Sequence, residues 1–272
     1  MAVITISRGT MSGGKQLAEM LAERLGYRCV SREIVIKAAD DYGAPEEKLF
    51  EAVQKSLSIF QKLTFERERY LAYIQASLCE YAKDDNLIYH GHAGHFLLQG
   101  ISHVLRIRLV AGMRYRIKAA MDQLHFSEKD AAKYIARVDK ERAKWTDFLY
   151  GCDWRSPELY DIVFNLEDED LNFVCEMVAH AVKQPQFQAT PASVTAMENL
   201  VTASRVRAAF ARISGIRLDR LTVVADGGTV IVAGRVPSQE LRDSLLETAL
   251  QVPGVDTVKN DVQMDYRRYG VE

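Results

Sequence analysis

The run Gly9-Thr10-Met11-Ser12-Gly13-Gly14-Lys15 constrains this chain more than any other stretch. It fits Gly-x4-Gly-Lys and follows a short β-branched apolar run, Ala2 to Ile6. After it, Leu17, Met20, Leu21 and Leu25 share one helical face until Gly26 stops the pattern. The chain therefore opens as strand, glycine loop, helix. Glycines let successive backbone N–H groups turn inward without Cβ clashes, which makes a cradle for phosphate oxygens. The helix adds unpaired N–H groups and the positive end of its dipole, and Lys15 adds a mobile charge for the β- and γ-phosphates. The candidate nucleotide-binding residues are Gly9, Thr10, Met11, Ser12, Gly13, Gly14, Lys15 and Gln16. ATP is the expected ligand and Mg2+ its expected companion. A Ser or Thr normally follows such a lysine closely to bind the metal; here Gln16-Leu17 follow, and a carboxamide is a poorer Mg2+ ligand. Binding is thus better supported than catalysis.

Further along, Tyr27 to Val30 reads as a second short strand leading into a helix near Arg32 to Asp40. Leu71, Ile74, Leu78 and Tyr81 mark a helix, and Leu87-Ile88-Tyr89 a buried strand. His103 to Ala111 is a further candidate strand, and Met113 to Leu124 a helix. Ser127-Glu128-Lys129-Asp130 resembles a capping box that starts a helix running to Arg142 or beyond. Ile162 to Phe164 and Asp168 to Val182 give a last strand and a closing helix. Strands alternating with helices predict an α/β fold, a parallel sheet flanked by helices on both faces.

Residues 184–199, with two prolines at the start and no periodicity there, read as a linker between a domain at 1–183 and a smaller one at 200–266. In the smaller unit Val206, Phe210 and Ile213 suggest a helix. Leu221 to Ala225 and Thr229 to Ala233 form a hairpin across Asp226-Gly227-Gly228. Ser238 to Leu250 suggests a second helix, and Val255 to Val262 a final strand. The expectation is a small α+β module ordered αββαβ.

Several pieces in order resemble the cytidylate kinase-like family, a branch of the P-loop nucleoside monophosphate kinases. They are Ile4-Thr5-Ile6-Ser7-Arg8 with the glycine loop, Ser31-Arg32-Glu33-Ile34, and Ile88-Tyr89-His90-Gly91-His92. Arg137-x-Asp139-x-x-Arg142 follows, and then Asp153-Trp154-x-x-Pro157-x-x-Tyr160-Asp161. The resemblance implies phosphoryl transfer from ATP to a nucleoside monophosphate beneath a mobile lid. Such chemistry asks the protein for cations and excluded water rather than covalent help. Eleven cations lie between Arg106 and Lys144. Lys15, Arg137 and Arg142 are the catalytic candidates, because guanidinium forks match phosphate oxygens. Arg32, His92 and Asp153 are the candidates for the acceptor. Ser31 stands where the family carries an acid and His92 where it carries arginine, which puts the acceptor's identity in question. His90, His92 and His95 read as capping a strand end and its loop rather than as a metal site.

Residues 200–266 resemble the BON domain through Val223-Val224-Ala225-Asp226-Gly227-Gly228, Val232-Ala233-Gly234-Arg235-Val236 and Val252-Pro253-Gly254-Val255. That resemblance implies a non-catalytic module for a protein, small-ligand or membrane partner. A catalytically inactive nucleotide sensor that signals through this module is the alternative to an enzyme.

Bulk properties narrow the field. With 48% hydrophobic and 26% charged residues the chain is ordinary globular protein, and a formal net charge of -2 does not call for nucleic acid. Cys29, Cys79, Cys152 and Cys175 include no Cys-x-x-Cys pair and read as free thiols. The N-terminus carries no basic stretch before its short apolar run, so the expected location is cytoplasmic.

Overall fold

The computed structural model describes residues 2–54, 63–91, 94–166 and 170–265, the side chains of 53–54 and 63–65 excepted. In chain order its first elements are β1 (Val3–Arg8), α1 (Gly14–Leu25), β2 (Arg28–Val30), α2 (Arg32–Tyr42), α3 (Glu46–Gln54), α4 (Leu63–Ala82) and β3 (Leu87–Tyr89). Next come α5 (Gly94–Leu97), β4 (Val104–Val110), α6 (Met113–Leu124), α7 (Glu128–Tyr150), β5 (Ile162–Asn165) and α8 (Leu171–Ala181). The remainder is α9 (Pro191–Phe210), β6 (Leu221–Asp226), β7 (Thr229–Val236), α10 (Gln239–Leu250) and β8 (Thr257–Met264).

The first five strands form one parallel sheet in the order β2-β3-β1-β4-β5, with Val3 opposite Leu87 on one side and Val104 on the other. The predicted α/β class is what the chain adopts. Ile4 and Ile6 of β1, Ile88 of β3, and Ile107 and Leu109 of β4 turn one face towards Leu17 and Leu21 of α1 and Val174 and Val178 of α8. Each such side chain stabilises the fold by about 1.5–3 kcal/mol on burial. Position follows from this order. The chain leaves β1 towards β2 and β3, while β4 lies on its other flank. The carboxyl end of β1 is therefore a switch point, where crevices open in parallel sheets.

Local signals account for the helix ends. Ser127 accepts a hydrogen bond from the Asp130 N–H (3.2 Å), as its capping pattern predicts, and Gly151 closes α7 in the left-handed conformation. Asp170 caps α8 in the same manner through the Asn172 N–H.

By contact density the chain divides into two compact units. One holds the five-stranded sheet. The other gathers most of α2 and α3, all of α4 from Leu63, and the chain from Pro191 onward. In the second unit β6 and β7 form the predicted antiparallel hairpin, and β8 joins β7 in parallel with Val258 opposite Val230. A parallel neighbour cannot be reached by a tight turn, and α10 supplies the crossover. α9 packs on α4, where Arg205 pairs with Glu80 and the Glu68 carboxylate accepts the Asp219 N–H (2.9 Å). The stretch read as a linker has a different character. Pro185–Phe187 is one turn of 3-10 helix, and residues 191–199 already belong to α9. Pro191 is its first residue, a place where proline loses no hydrogen bond, and Met197 and Val201 are buried.

Gly234 sits at φ 135°, and a Cβ there would stand 2.0 Å from the Arg220 carbonyl oxygen. Backbone cannot yield as a flexible side chain can. Gly234→Ala is expected to destabilise the second unit by about 2–4 kcal/mol. Chemical denaturation measures it, and a loss under 0.5 kcal/mol would contradict that close approach.

Candidate functional site

Five residues connect β1 to α1, and they are folded back on themselves. The Gly9 N–H donates to the Leu109 carbonyl (3.3 Å). The Ser12 N–H donates to the Gly9 carbonyl (3.3 Å), and so does the Ser12 hydroxyl (2.7 Å). Met11 at φ 61° and Gly13 at φ 77° both take the left-handed conformation. A turn of this kind makes neighbouring N–H groups converge on one concavity. Gly13 caps α1 without any side-chain hydrogen bond, so first-turn N–H groups remain open to an anion. Gly14 has a second reason for lacking a side chain: a Cβ there would meet Arg8 Cδ at 2.0 Å. Arg8 lies across it.

A cavity of about 410 Å³ opens over this loop. Thr10 to Gln16 floor it, Tyr115 of α6 and Tyr134 of α7 wall it, and Arg8 and Arg142 face into it. Arg142 donates to the Arg8 carbonyl (3.1 Å). Burial, and then the neighbouring Arg8 guanidinium, push the Arg142 pKa down to about 10, and burial likewise lowers Arg8. The Arg8 Nε is shielded from water and has no hydrogen-bond partner. Two crowded, desolvated cations beside converging N–H groups make a cavity that an anion would relieve.

The neighbouring carboxylate is already engaged. Asp139 accepts from the Thr10 N–H (3.1 Å) and the Thr10 hydroxyl (2.8 Å), and pairs with Arg116 (2.5 Å). Arg116 in turn donates to the Thr10 carbonyl (2.7 Å). α6 and α7 thus clamp the loop at its second residue. Asp139→Asn is expected to cost about 1–2 kcal/mol of stability and to speed exchange of the Thr10 amide. Hydrogen exchange checks it, and unchanged protection of that amide would count against the clamp.

The predicted residues separate into two groups. Thr10 to Gly14, Lys15, Gln16 and Arg142 come together around the cavity, and Gly9 does not line it. Lys15 stands at its rim, with a side chain 73% exposed and 3.6 Å from Glu19. Arg137 does not line it; its guanidinium lies 5.8 Å from the Tyr134 ring. Helical geometry explains this, because residues five apart on a helix point about 140° away from each other. Asp139, three residues before Arg142, faces the loop in its stead. Arg32 opens α2 and is exposed, away from this cavity. Ser31 ties two strand ends together, its hydroxyl donating to the His90 carbonyl (3.2 Å). Asp153 holds Arg155 (2.8 Å), which keeps its carboxyl below the usual range. His92 lies outside the described residues. Arg8, Tyr115 and Tyr134 were not among the sequence candidates. Arg8 immediately precedes the glycine loop, and that adjacency is the signal that finds it.

Mg2+ takes hard oxygen ligands. The Ser12 hydroxyl is turned onto the Gly9 carbonyl and the Thr10 hydroxyl onto Asp139, and Gln16 offers only a carboxamide. Among the described residues no cluster of three His, Cys, Asp or Glu is placed to hold a metal. The loop does not furnish the hydroxyl ligand that Mg2+ expects.

Residues 3–168 match the model of the cytidylate kinase-like family, and residues 200–266 that of the BON domain. An uncharacterized protein from Eubacterium ventriosum ATCC 27560 superposes with a TM-score of 0.51 at 18% identity, over 68% of this chain and 99% of that one. That likeness speaks for the fold. A shikimate kinase from Bacteroides thetaiotaomicron aligns at TM-score 0.44 and 10% identity, over 67% of this chain and 99% of its own. A gluconokinase from Sinorhizobium meliloti 1021 aligns at TM-score 0.39 and 11% identity, over 66% and 91%. No curated protein matches the chain. Among the described residues no helix is long and apolar enough to cross a membrane.

Proposed function

The chain belongs to the cytidylate kinase-like family, and on that premise we propose that it transfers a phosphoryl group from ATP to a nucleoside monophosphate. One observation carries the reading: converging loop N–H groups and two desolvated arginines surround a cavity of about 410 Å³ at the switch point of the sheet. Bound ATP supplies the group to be transferred. The loop N–H groups hold its phosphate oxygens, and Lys15 swings from Glu19 onto them. Arg142 and Arg8 offset charge that builds on the transferring group, and they act strongly because water is scarce around them. Tyr115 and Tyr134 narrow the entrance and limit hydrolysis. The Thr10 and Ser12 hydroxyls are already engaged within the protein, which leaves the loop no free hydroxyl for Mg2+.

The same lack favours a second reading. Gln16, with Ser12 and Thr10 both turned inward, suits a sensor that holds nucleotide without turning it over. Residues 200–266 would then report occupancy to a protein, small-ligand or membrane partner.

ADP release measured across cytidine, uridine, adenosine and guanosine monophosphates, beside ATP calorimetry, separates the two. Turnover on at least one acceptor supports the enzyme. Binding without turnover selects the sensor, and absence of ATP binding rejects both.

A further inference from the structure

We infer that β8 is a docking edge for a second copy of this chain, the two strands pairing antiparallel about Asn260. The inference rests on the small sheet alone and stands whatever the glycine loop binds. The order β6-β7-β8 leaves two outer strands. The β6 edge is covered: α9 packs along it, Arg207 donates to the Leu221 carbonyl at its start (3.1 Å), and Asn199 accepts the Gly227 N–H just past its end (3.0 Å). β8 is packed by β7 and α10, and among the described residues no other element makes substantial contact with it. An open edge of eight residues is a template for another strand.

Backbone direction fixes which groups that edge offers. The Thr257 N–H donates to the Gly228 carbonyl (3.3 Å) and the Asp265 N–H to the Val236 carbonyl (2.9 Å), so odd-numbered residues of β8 turn their polar groups to β7. Val258, Asn260 and Val262 turn theirs outward. In keeping with this, the Val262 N–H reaches only the Asn260 side-chain oxygen (3.0 Å), which stands in for a missing strand. Antiparallel pairing centred on Asn260 sets Val258 opposite the partner's Val262 and Asn260 opposite the partner's Asn260. These are hydrogen-bonded pairs, each exchanging both bonds. The same register sets Lys259 opposite the partner's Asp261 and Asp261 opposite the partner's Lys259. Both fall at non-hydrogen-bonded positions, where Cα atoms approach to about 4.5 Å and side chains meet most closely. Lys259 and Asp261 are exposed on one face of the sheet, and neither makes an ion pair among the described residues. Moving the register by two residues sets Asp261 against Asp261, or Lys259 against Lys259. Charge therefore selects one alignment.

Sedimentation equilibrium of the full-length chain over a concentration series tests this. The natural chain is expected to show a reversible monomer–dimer equilibrium. Lys259→Asp sets like charges opposite each other twice and is expected to weaken the dimer at least tenfold, as is Asp261→Lys. Lys259→Asp combined with Asp261→Lys restores both pairs, and is expected to return the association constant to within about threefold of the natural value. Both positions are exposed, and melting temperatures check that the variants fold. A chain that stays monomeric overturns the inference. So does a dimer indifferent to Lys259→Asp, or a double exchange no tighter than either single change.

Discussion

Arg142→Met is expected to weaken ATP binding by about 2–3 kcal/mol, roughly thirty- to more than a hundredfold, while leaving the ligand-free chain as stable as before or more so. The two effects have one origin. Within the cavity Arg142 lies against a second guanidinium, Arg8, with Asp139 already committed to Thr10 and Arg116. Its pKa, held down to about 10, reports that the fold resists this charge. Methionine matches the unbranched stem, fills the same space and removes the repulsion; against that stands one lost hydrogen bond to the Arg8 carbonyl, about 1 kcal/mol. Exchanging desolvated charge for packed apolar surface is often neutral or stabilising. A polyphosphate in the cavity reverses the balance, because each oxygen then gains a charge-assisted donor that methionine cannot provide. Calorimetry and melting of the ligand-free protein read the two halves independently. A variant that loses stability but keeps its ATP affinity would show Arg142 to be a structural residue.

Much of this is legible in the sequence, and the parts that are not share a cause. The glycine loop announced itself because conformation is local: few residue types take φ near 77°, and spacing alone placed them between strand and helix. The sheet was legible from alternation, and α7 from its cap. Arg137 and Arg142 stand together in the motif, yet on a helix two positions five apart diverge, so Arg142 lines the cavity, Arg137 does not, and Asp139 faces the loop. Arg8 is marked in the sequence only by its place just before the glycine loop; that it faces the cavity depends on Gly14 leaving space across the turn. The start of α9 was hidden by Pro191, which looks like a break from either side yet fits the first turn of a helix. Membership of α4 in the second unit was beyond the sequence altogether. It rests on contacts such as Arg205 with Glu80, separated by 125 residues, and no periodicity encodes which helix a given face will meet.

Acid is expected to unfold this protein early, losing about 3–5 kcal/mol between pH 7 and pH 4.5, before ordinary carboxylates are largely protonated. The reason is buried histidines held neutral, His95 and His90 foremost, with His103 lowered by burial as well. His95 is 6% exposed, its ring centre 4.0 Å from that of Phe96 and 4.8 Å from that of Tyr160, with Nε2 buried and without a hydrogen-bond partner. Burial first, then Arg106 and Arg108, lower its pKa to about 3. His90, at the end of β3, is lowered to about 4 by burial and by Arg8. The sign follows from the two states. An unfolded histidine takes its proton as pH falls through about 6.5, whereas the folded rings refuse theirs until pH 3 to 4. Across that window the unfolded chain binds more protons, so each step down in pH favours it. Above about pH 8 neither ring contributes any slope. His95→Phe keeps an aromatic ring in the stack and removes one titrating group, so it is expected to abolish about half of the loss between pH 6.5 and 4.5. Denaturant unfolding at half-unit pH intervals makes the comparison. Parallel curves for the variant and the natural chain would mean that the buried ring is not the seat of the acid sensitivity.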